Sequence, residues 1–152
     1  MVDIVHKVGI KAPLAQVYAA VATTEGVAGW WSQETSGASE PGGSLKVGFS
    51  KPNGEVLGAM GMTVTAMEPE RLVRWRFDAG PDEWISTDAV FDLSRDGDYT
   101  IVLFRHENWR EQVEFTAHCS TKWATFMLSL KDFVETGTGR PSPHDLKIDN
   151  WN

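Results

Sequence analysis

The sequence predicts an α+β domain in which a curved antiparallel sheet is covered by one long C-terminal helix. A series of segments with alternating apolar and polar residues lies between residues 44 and 106, and turn signals separate them. Apolar residues then recur at helical spacing from residue 116 to residue 136. Because the sheet and the helix would each have one apolar face, we expect these two faces to cover each other.

The N-terminal part of the chain predicts one strand and two short helices. Residues 2–10 alternate loosely, as a strand does. Pro13 suits the first turn of a helix, and the apolar residues of the following segment LAQVYAAVA have helical spacing. Thr23 or Thr24 would cap a second short helix that ends near Trp30 and Trp31. The stretch SGASEPGG that comes next predicts a loop.

The middle of the chain predicts consecutive strands, which favour neighbouring antiparallel positions in one sheet. We place these strands at residues 44–49, 56–67, 71–78, 84–93 and 99–106. In the third of them, Val73 and Trp75 would face the helix, while Arg74 and Arg76 would face outward. In the fourth, Ile85, Ala89, Phe91 and Leu93 would face inward. Asp88 and Asp92 would face outward, where they could pair with the two arginines, although a solvated charged face is the simpler interpretation.

The length of 152 residues favours a single domain. Gly137 and Gly139 would end the long helix, and Pro141 would prevent it from resuming. We therefore predict a domain over residues 1–141 and a C-terminal tail over residues 142–152, packed on or beside the domain.

Composition excludes several classes of function. The formal net charge of −7 disfavours binding to nucleic acid, whose phosphates would be repelled. No apolar run reaches the length of about 18 residues that a membrane-spanning helix needs. The N-terminus lacks the layout of a secretory signal peptide, and Cys119 is the single cysteine, so that no internal disulfide can form. These features favour a cytoplasmic protein.

Several segments, in this order, resemble the START-like superfamily, also called SRPBCC or helix-grip proteins. Within it, they are most similar to domains that resemble the activator of the heat-shock-protein-90 ATPase. The segments are APLAQVYAAVA (12–22), WWS (30–32), MEPERLVRW (67–75), DLSRDGDYTIVLFRHENW (92–109) and KWATFMLSLKDFVETGTGRP (122–141). The resemblance implies a curved sheet wrapped around the C-terminal helix, with two short helices closing one end.

The resemblance also implies a cavity between sheet and helix that takes up small hydrophobic molecules in many relatives. One tryptophan of the pair Trp30 and Trp31 would then pack into the body while its neighbour leans over the mouth; alternatively, both are structural. The residues that we expect to line the cavity are large and apolar: Trp31, Met60, Met62, Trp75, Phe91, Phe104, Trp123 and Met127.

Three functions remain open at this point. The first is non-enzymatic binding of a small hydrophobic molecule without a cofactor. The second is a protein-interaction module that resembles the co-chaperone relatives, with a chaperone or another protein as partner. The third is a small cyclase or hydrolase with His106 as acid or base, although a hydrogen-bonded structural histidine is the simpler interpretation. The oligomeric state is also open, with a homodimer as one alternative.

Two further candidates have simpler explanations. Glu114 and His118 are four residues apart, as metal ligands on a helix can be, but no third ligand stands at a recognisable spacing, and we predict no metal site. Cys119 falls on the apolar side of the helix, where a small buried side chain is expected rather than a reactive thiol.

Overall fold

The computed structural model describes residues 1–152. In chain order the elements are β1 (Val2–Ile10), α1 (Leu14–Ala22), α2 (Thr24–Trp30), β2 (Glu34–Gly37), β3 (Ser44–Ser50), β4 (Val56–Glu68), β5 (Leu72–Ala79), β6 (Asp88–Asp96), β7 (Tyr99–Trp109) and α3 (Glu114–Thr136). The predicted α+β helix-grip architecture is confirmed. No helix combines the length and the hydropathy that crossing a bilayer would require.

The seven strands form one sheet in the order β1-β7-β6-β5-β4-β3-β2. All neighbouring strands are antiparallel. β4 carries register irregularities between Gly61 and Met62 and between Val64 and Ala66, where it pairs with β5. Such bulges bend a strand and increase its twist, which helps this sheet to curve around α3.

The core fills the space between the inner face of the sheet and the three helices. Its largest fully buried side chains are Trp30, Trp31, Trp75, Trp109, Trp123, Phe77, Phe91, Phe104, Ile10, Leu45, Met62 and Met127. Helix α2 approaches α3 closely at Gly29, where an added Cβ would lie 2.3 Å from the ring of Phe133. Glycine at this position therefore allows the helix that carries Trp30 and Trp31 to pack tightly against α3.

Helix α3 is the element that the sequence predicts best. It begins at Glu114 and ends at Thr136, and the following Gly137 adopts a left-handed conformation (φ 88°) and donates its N–H to the Phe133 carbonyl at 2.9 Å. A left-handed residue at this position is a common helix end, and glycine adopts it at least cost.

Two parts of the sheet differ from the prediction. Strand β6 begins at Asp88 rather than at residue 84, because residues 81–87 turn, with the Trp84 N–H bonded to the Pro81 carbonyl. Trp84 is consequently buried and Ile85 is 38% exposed, so the predicted inward position of Ile85 was wrong. The short edge strand β2 was also missed, because its residues ETSG lie in a stretch rich in turn formers.

The residues after α3 return to the body of the protein. The Ser142 N–H donates to the Trp31 carbonyl at 2.8 Å, and the Gln33 N–H donates to the Ser142 carbonyl at 3.0 Å. The side-chain hydroxyl of Ser129 in α3 donates to the Trp30 carbonyl at 2.8 Å. The backbone around the two adjacent tryptophans is therefore held from both α3 and the C-terminal residues.

Candidate functional site

A cleft of about 760 Å³ opens between the N-terminal half of α3 and one end of the sheet. The sheet contributes residues 57–60 of β4, and the β5–β6 connection contributes residues 80, 81, 83 and 84. Helix α3 contributes Phe115, His118, Cys119, Lys122, Trp123 and Phe126. Trp31, Phe49, Trp151 and Asn152 complete the lining. The walls are mostly apolar, and aromatic rings make up much of them.

The two adjacent tryptophans occupy different parts of the structure. Trp30 is fully buried, and its indole N–H donates to the Ala20 carbonyl at 2.8 Å. Trp31 forms part of the cleft wall, stacks on Trp75 with ring centroids 5.6 Å apart, and contacts Trp123 at 5.1 Å. Only 1% of Trp31 is exposed, so this residue belongs to the core and to the cleft wall together.

The structure brings three of the eight predicted lining residues to the cleft and places the other five behind it. Trp31, Met60 and Trp123 line the cleft. The remaining five are at most 1% exposed in the core: Met62, Trp75, Phe91, Phe104 and Met127. The reason is that these five side chains belong to the buried cluster that fills the space between the sheet and the helices, and the cleft opens only at one end of the sheet. That these residues bind a ligand stays a prediction.

Several cleft residues were missed from the sequence. Phe126 lies three residues after Trp123 on the same helix, so helical spacing alone was a sufficient signal for it. Trp84 was assigned to a strand, and its position in the cleft depends on the turn at residues 81–87. Trp151 follows no periodic pattern, and no local signal indicated that it would reach the cleft.

His106 lies beneath the cleft and is not part of its lining. The indole N–H of Trp123 donates to His106 Nδ1 at 3.0 Å, and Nε2 lies 2.7 Å from the Thr87 hydroxyl oxygen. The Thr87 hydroxyl donates in turn to the Trp84 carbonyl. These partners fix the neutral tautomer with its proton on Nε2, and burial lowers the pKa of His106 to about 3 although the charge of Asp88 acts to raise it. This geometry does not favour an acid–base role.

Cys119 lies on the cleft wall, and 4% of the residue is exposed. Burial raises the pKa of its thiol to about 12, which outweighs the opposing contact with the Trp84 indole. A thiol that stays protonated is a poor nucleophile, so the arrangement does not favour covalent catalysis. No group of three or more His, Cys, Asp and Glu residues is arranged to hold a metal ion.

Two groups on α3 that can carry positive charge lie at the cleft wall, and acidic residues of the C-terminal segment pair with both. Lys122 Nζ contacts the Asp145 carboxylate and donates to the Leu146 carbonyl at 2.8 Å. His118 Nδ1 lies 2.6 Å from Asp149 Oδ2. This contact is the main cause that lowers the pKa of the Asp149 carboxyl to about 2.

The outer face of the sheet carries an ion-pair network remote from the cleft. Asp88 accepts hydrogen bonds from Arg76 Nε at 2.8 Å and from Arg74 Nη1 at 3.0 Å. The same Arg74 nitrogen donates to Glu107, which also pairs with Arg105. The predicted pairing of Asp88 with the two arginines is confirmed.

The expected pairing of Asp92 with these two arginines was wrong. Asp92 Oδ2 instead lies 3.6 Å from Arg105 on β7. The register explains the difference, because Asp92 stands opposite Leu72 on β5 and opposite Leu103 on β7, which places it near the neighbouring Arg105.

Comparison with known proteins agrees with the family resemblance of the sequence. The model of the family described as activator of Hsp90 ATPase homolog 1-like protein matches residues 11–135. The solution structure of the Aha1 dimer from Colwellia psychrerythraea is 40% identical with a TM-score of 0.79, covering 91% of this chain and 100% of that one. No curated protein sequence matches the chain.

More distant structures share the fold alone. The protein SSP2350 from Staphylococcus saprophyticus is 17% identical with a TM-score of 0.72, covering 93% of this chain and 98% of that one. DynU16, encoded in the dynemicin biosynthetic locus, is 21% identical with a TM-score of 0.71, covering 90% of this chain and 48% of that one.

Proposed function

The chain belongs to the family of activator of Hsp90 ATPase homolog 1-like proteins, and within this family we propose that it binds a small apolar molecule in the cleft between the sheet and α3. The observation that carries the proposal is the cleft itself, with a volume of about 760 Å³ and walls that include Trp31, Trp84 and Trp123. Sites for small ligands typically enclose about 300–1,000 Å³ and are lined by apolar and aromatic side chains.

Affinity in such a site comes from apolar surface removed from water, at about 25 cal/mol per Å². The cleft offers few polar anchors, because His118 and Lys122 are already paired with Asp149 and Asp145. Binding without chemistry fits the neutral, fully engaged His106 and the protonated thiol of Cys119. The proposal involves no cofactor and no metal, and it places the protein in the cytoplasm.

Two measurements test this function. Native mass spectrometry of freshly purified protein should detect either a bound small molecule or the mass of the protein alone. In the second case, added decan-1-ol should bind and increase that mass. Titration with decan-1-ol should change the tryptophan fluorescence saturably, because four indole rings line the cleft. The absence of any saturable response to decan-1-ol, with no co-purifying molecule, would contradict apolar binding.

A second candidate is a protein-interaction role, which the relation to the Aha1 dimer favours through 40% identity over the whole of that chain. In this alternative the chain would bind the chaperone Hsp90 and raise its ATPase rate, and it would itself form a homodimer. An ATPase assay with added protein and sedimentation velocity of the protein alone test these two points. A strictly monomeric protein without effect on the ATPase rate would exclude this candidate and leave apolar binding unaffected.

A further inference from the structure

The C-terminal segment, residues 142–152, lies against α3 so that two of its acidic side chains pair with two side chains of the helix that can carry positive charge. His118 and Lys122 are four residues apart and therefore lie on the same side of α3. Asp145 and Asp149 of the segment are also four residues apart, and they pair with Lys122 and His118 respectively. Both groups of α3 at the cleft wall that can carry positive charge thus have a carboxylate partner from the same segment.

The pair of Lys122 and Asp145 is almost fully removed from solvent. The Lys122 side chain is 10% exposed and the Asp145 side chain is 6% exposed. An ammonium group buried at an apolar wall needs an anionic partner, because an isolated buried charge is strongly destabilising. If Asp145 leaves this position, either water or another anion must take its place beside Lys122.

The C-terminal segment also reaches the cleft itself. Trp151 and Asn152 belong to the cleft lining. The centroid of the Trp151 ring lies 4.6 Å from that of His118 and 6.3 Å from that of Phe115. Half of Trp151 is nevertheless exposed (52%), and the segment contains no helix or strand. Backbone hydrogen bonds hold the segment at Ser142, whereas side-chain contacts hold its last residues at the mouth, and such contacts can be exchanged for others.

From these contacts we propose that Lys122 anchors the anionic headgroup of an amphiphilic ligand, and that Asp145 occupies this anchor while the cleft is empty, with Asp149 held on the neighbouring His118. The inference rests on the proposed function and specifies its ligand: a single apolar chain that ends in one carboxylate. The chain would lie between Trp31, Trp84 and Trp123, and the carboxylate would replace Asp145 beside Lys122. Glu83 also lines the cleft, but it is exposed to solvent, which screens its charge.

A matched pair of probes tests this inference. Decanoate and decan-1-ol have the same chain and differ in the headgroup charge, and calorimetry gives the affinity of each for the full-length protein. The double variant Asp145→Asn/Asp149→Asn removes the internal competitor, so its preference for decanoate over decan-1-ol should rise by about tenfold, within the usual range of coupling between two sites. Lys122→Met should remove the preference altogether.

The control is Glu135→Gln, which neutralises the partner of Lys131 on the same helix, remote from the cleft. This variant should retain the preference of the unmodified protein. A preference that stays within twofold in both the double aspartate variant and Lys122→Met would overturn the anchor while leaving apolar binding intact. Failure of every protein to bind either probe would overturn the anchor and the proposed function together.

Discussion

Trp123 donates its indole N–H to Nδ1 of His106 at 3.0 Å, and this bond joins α3 to the last strand of the sheet directly beneath the cleft. The other ring nitrogen, Nε2, carries the proton and lies 2.7 Å from the Thr87 hydroxyl oxygen. One imidazole therefore connects the helix, β7 and the turn that carries Trp84. The cleft wall depends on this histidine staying neutral, since a proton on Nδ1 would break the bond from Trp123.

His106 is expected to make the protein less stable as the pH falls. Burial lowers the pKa of the folded-state imidazole from its ordinary value of 6.5 to about 3, so between these two values the unfolded chain binds a proton that the folded protein does not. The free energy of unfolding should then fall with decreasing pH, by about 1 kcal/mol between about pH 7 and about pH 5.5. Urea unfolding at the two pH values measures this loss.

The variant His106→Gln isolates this contribution. Glutamine can accept from Trp123 and donate to Thr87, but it does not titrate. Its unfolding free energy should be lower at neutral pH and should change less between the two pH values. An equally steep pH dependence in the variant would show that other groups cause it.

Asp88 is expected to contribute more to stability than any other acid on the outer face. Burial alone would raise its pKa, but the hydrogen bonds and charges of Arg76 and Arg74 outweigh burial and lower it. The contribution is therefore complete above the ordinary aspartate pKa and is lost as the pH falls through the folded-state value. Asp88→Asn should cost about 1–3 kcal/mol by thermal or urea unfolding near neutral pH.

Asp92→Asn is the matched control for this prediction. The Asp92 side chain is 39% exposed and pairs with Arg105 alone, at 3.6 Å. Removing its charge should cost less than about 1 kcal/mol, as is usual for surface pairs. Equal losses in the two variants would contradict the central position of Asp88 in the network.

A larger side chain at Met60 should block the cleft without disturbing the rest of the core. Met60 is partly exposed at the cleft wall, on β4. Met60→Trp should weaken binding of decan-1-ol by about tenfold or more, because the added ring takes up space that the ligand needs. Leu128→Trp adds an aromatic ring on the solvent side of α3, where Leu128 is 55% exposed, and should leave binding unchanged. Unchanged calorimetric affinity in Met60→Trp would place the ligand elsewhere.

Cys119 should react slowly with thiol reagents in the folded protein. Because burial raises its pKa to about 12, its thiolate fraction is far below that of an ordinary thiol. At about pH 8 the labelling rate with a disulfide reagent should be roughly a thousandfold below that of an exposed cysteine, and unfolding in urea should restore it. Rapid labelling of the native protein would mean that the cleft wall opens readily.

The sequence predicts the elements with strong periodicity and misses those that depend on tertiary contacts. Helix α3 and strand β5 were placed within two residues of their ends, because their apolar residues recur at one clear spacing. The turn that holds Trp84 was missed, since Ile85 is in phase with the inward-facing Ala89 and Phe91 of the next strand. Its geometry comes instead from bonds across space, such as that from the Phe77 N–H to the Thr87 carbonyl.

The sequence predicts the location of the cleft less well than it predicts the fold. An apolar strand face marks residues that leave water, but it does not say where the sheet leaves the helix. Trp75 and Phe104 are therefore core residues, whereas Trp31 and Trp123 reach both the core and the cleft. The approach of Asp145 and Asp149 to α3 has no periodic signal at all, because the segment that carries them forms neither helix nor strand.

The most direct test of the account is where an apolar ligand sits when it binds. Intermolecular nuclear Overhauser effects between the methylene protons of decan-1-ol and the indole protons of the labelled protein measure this contact. The account predicts effects to Trp31, Trp84 and Trp123, together with none to Trp30, which is fully buried behind Trp31 and does not line the cleft. Saturable binding without effects to Trp31, Trp84 and Trp123, or contacts confined to the outer face of the sheet, would contradict it.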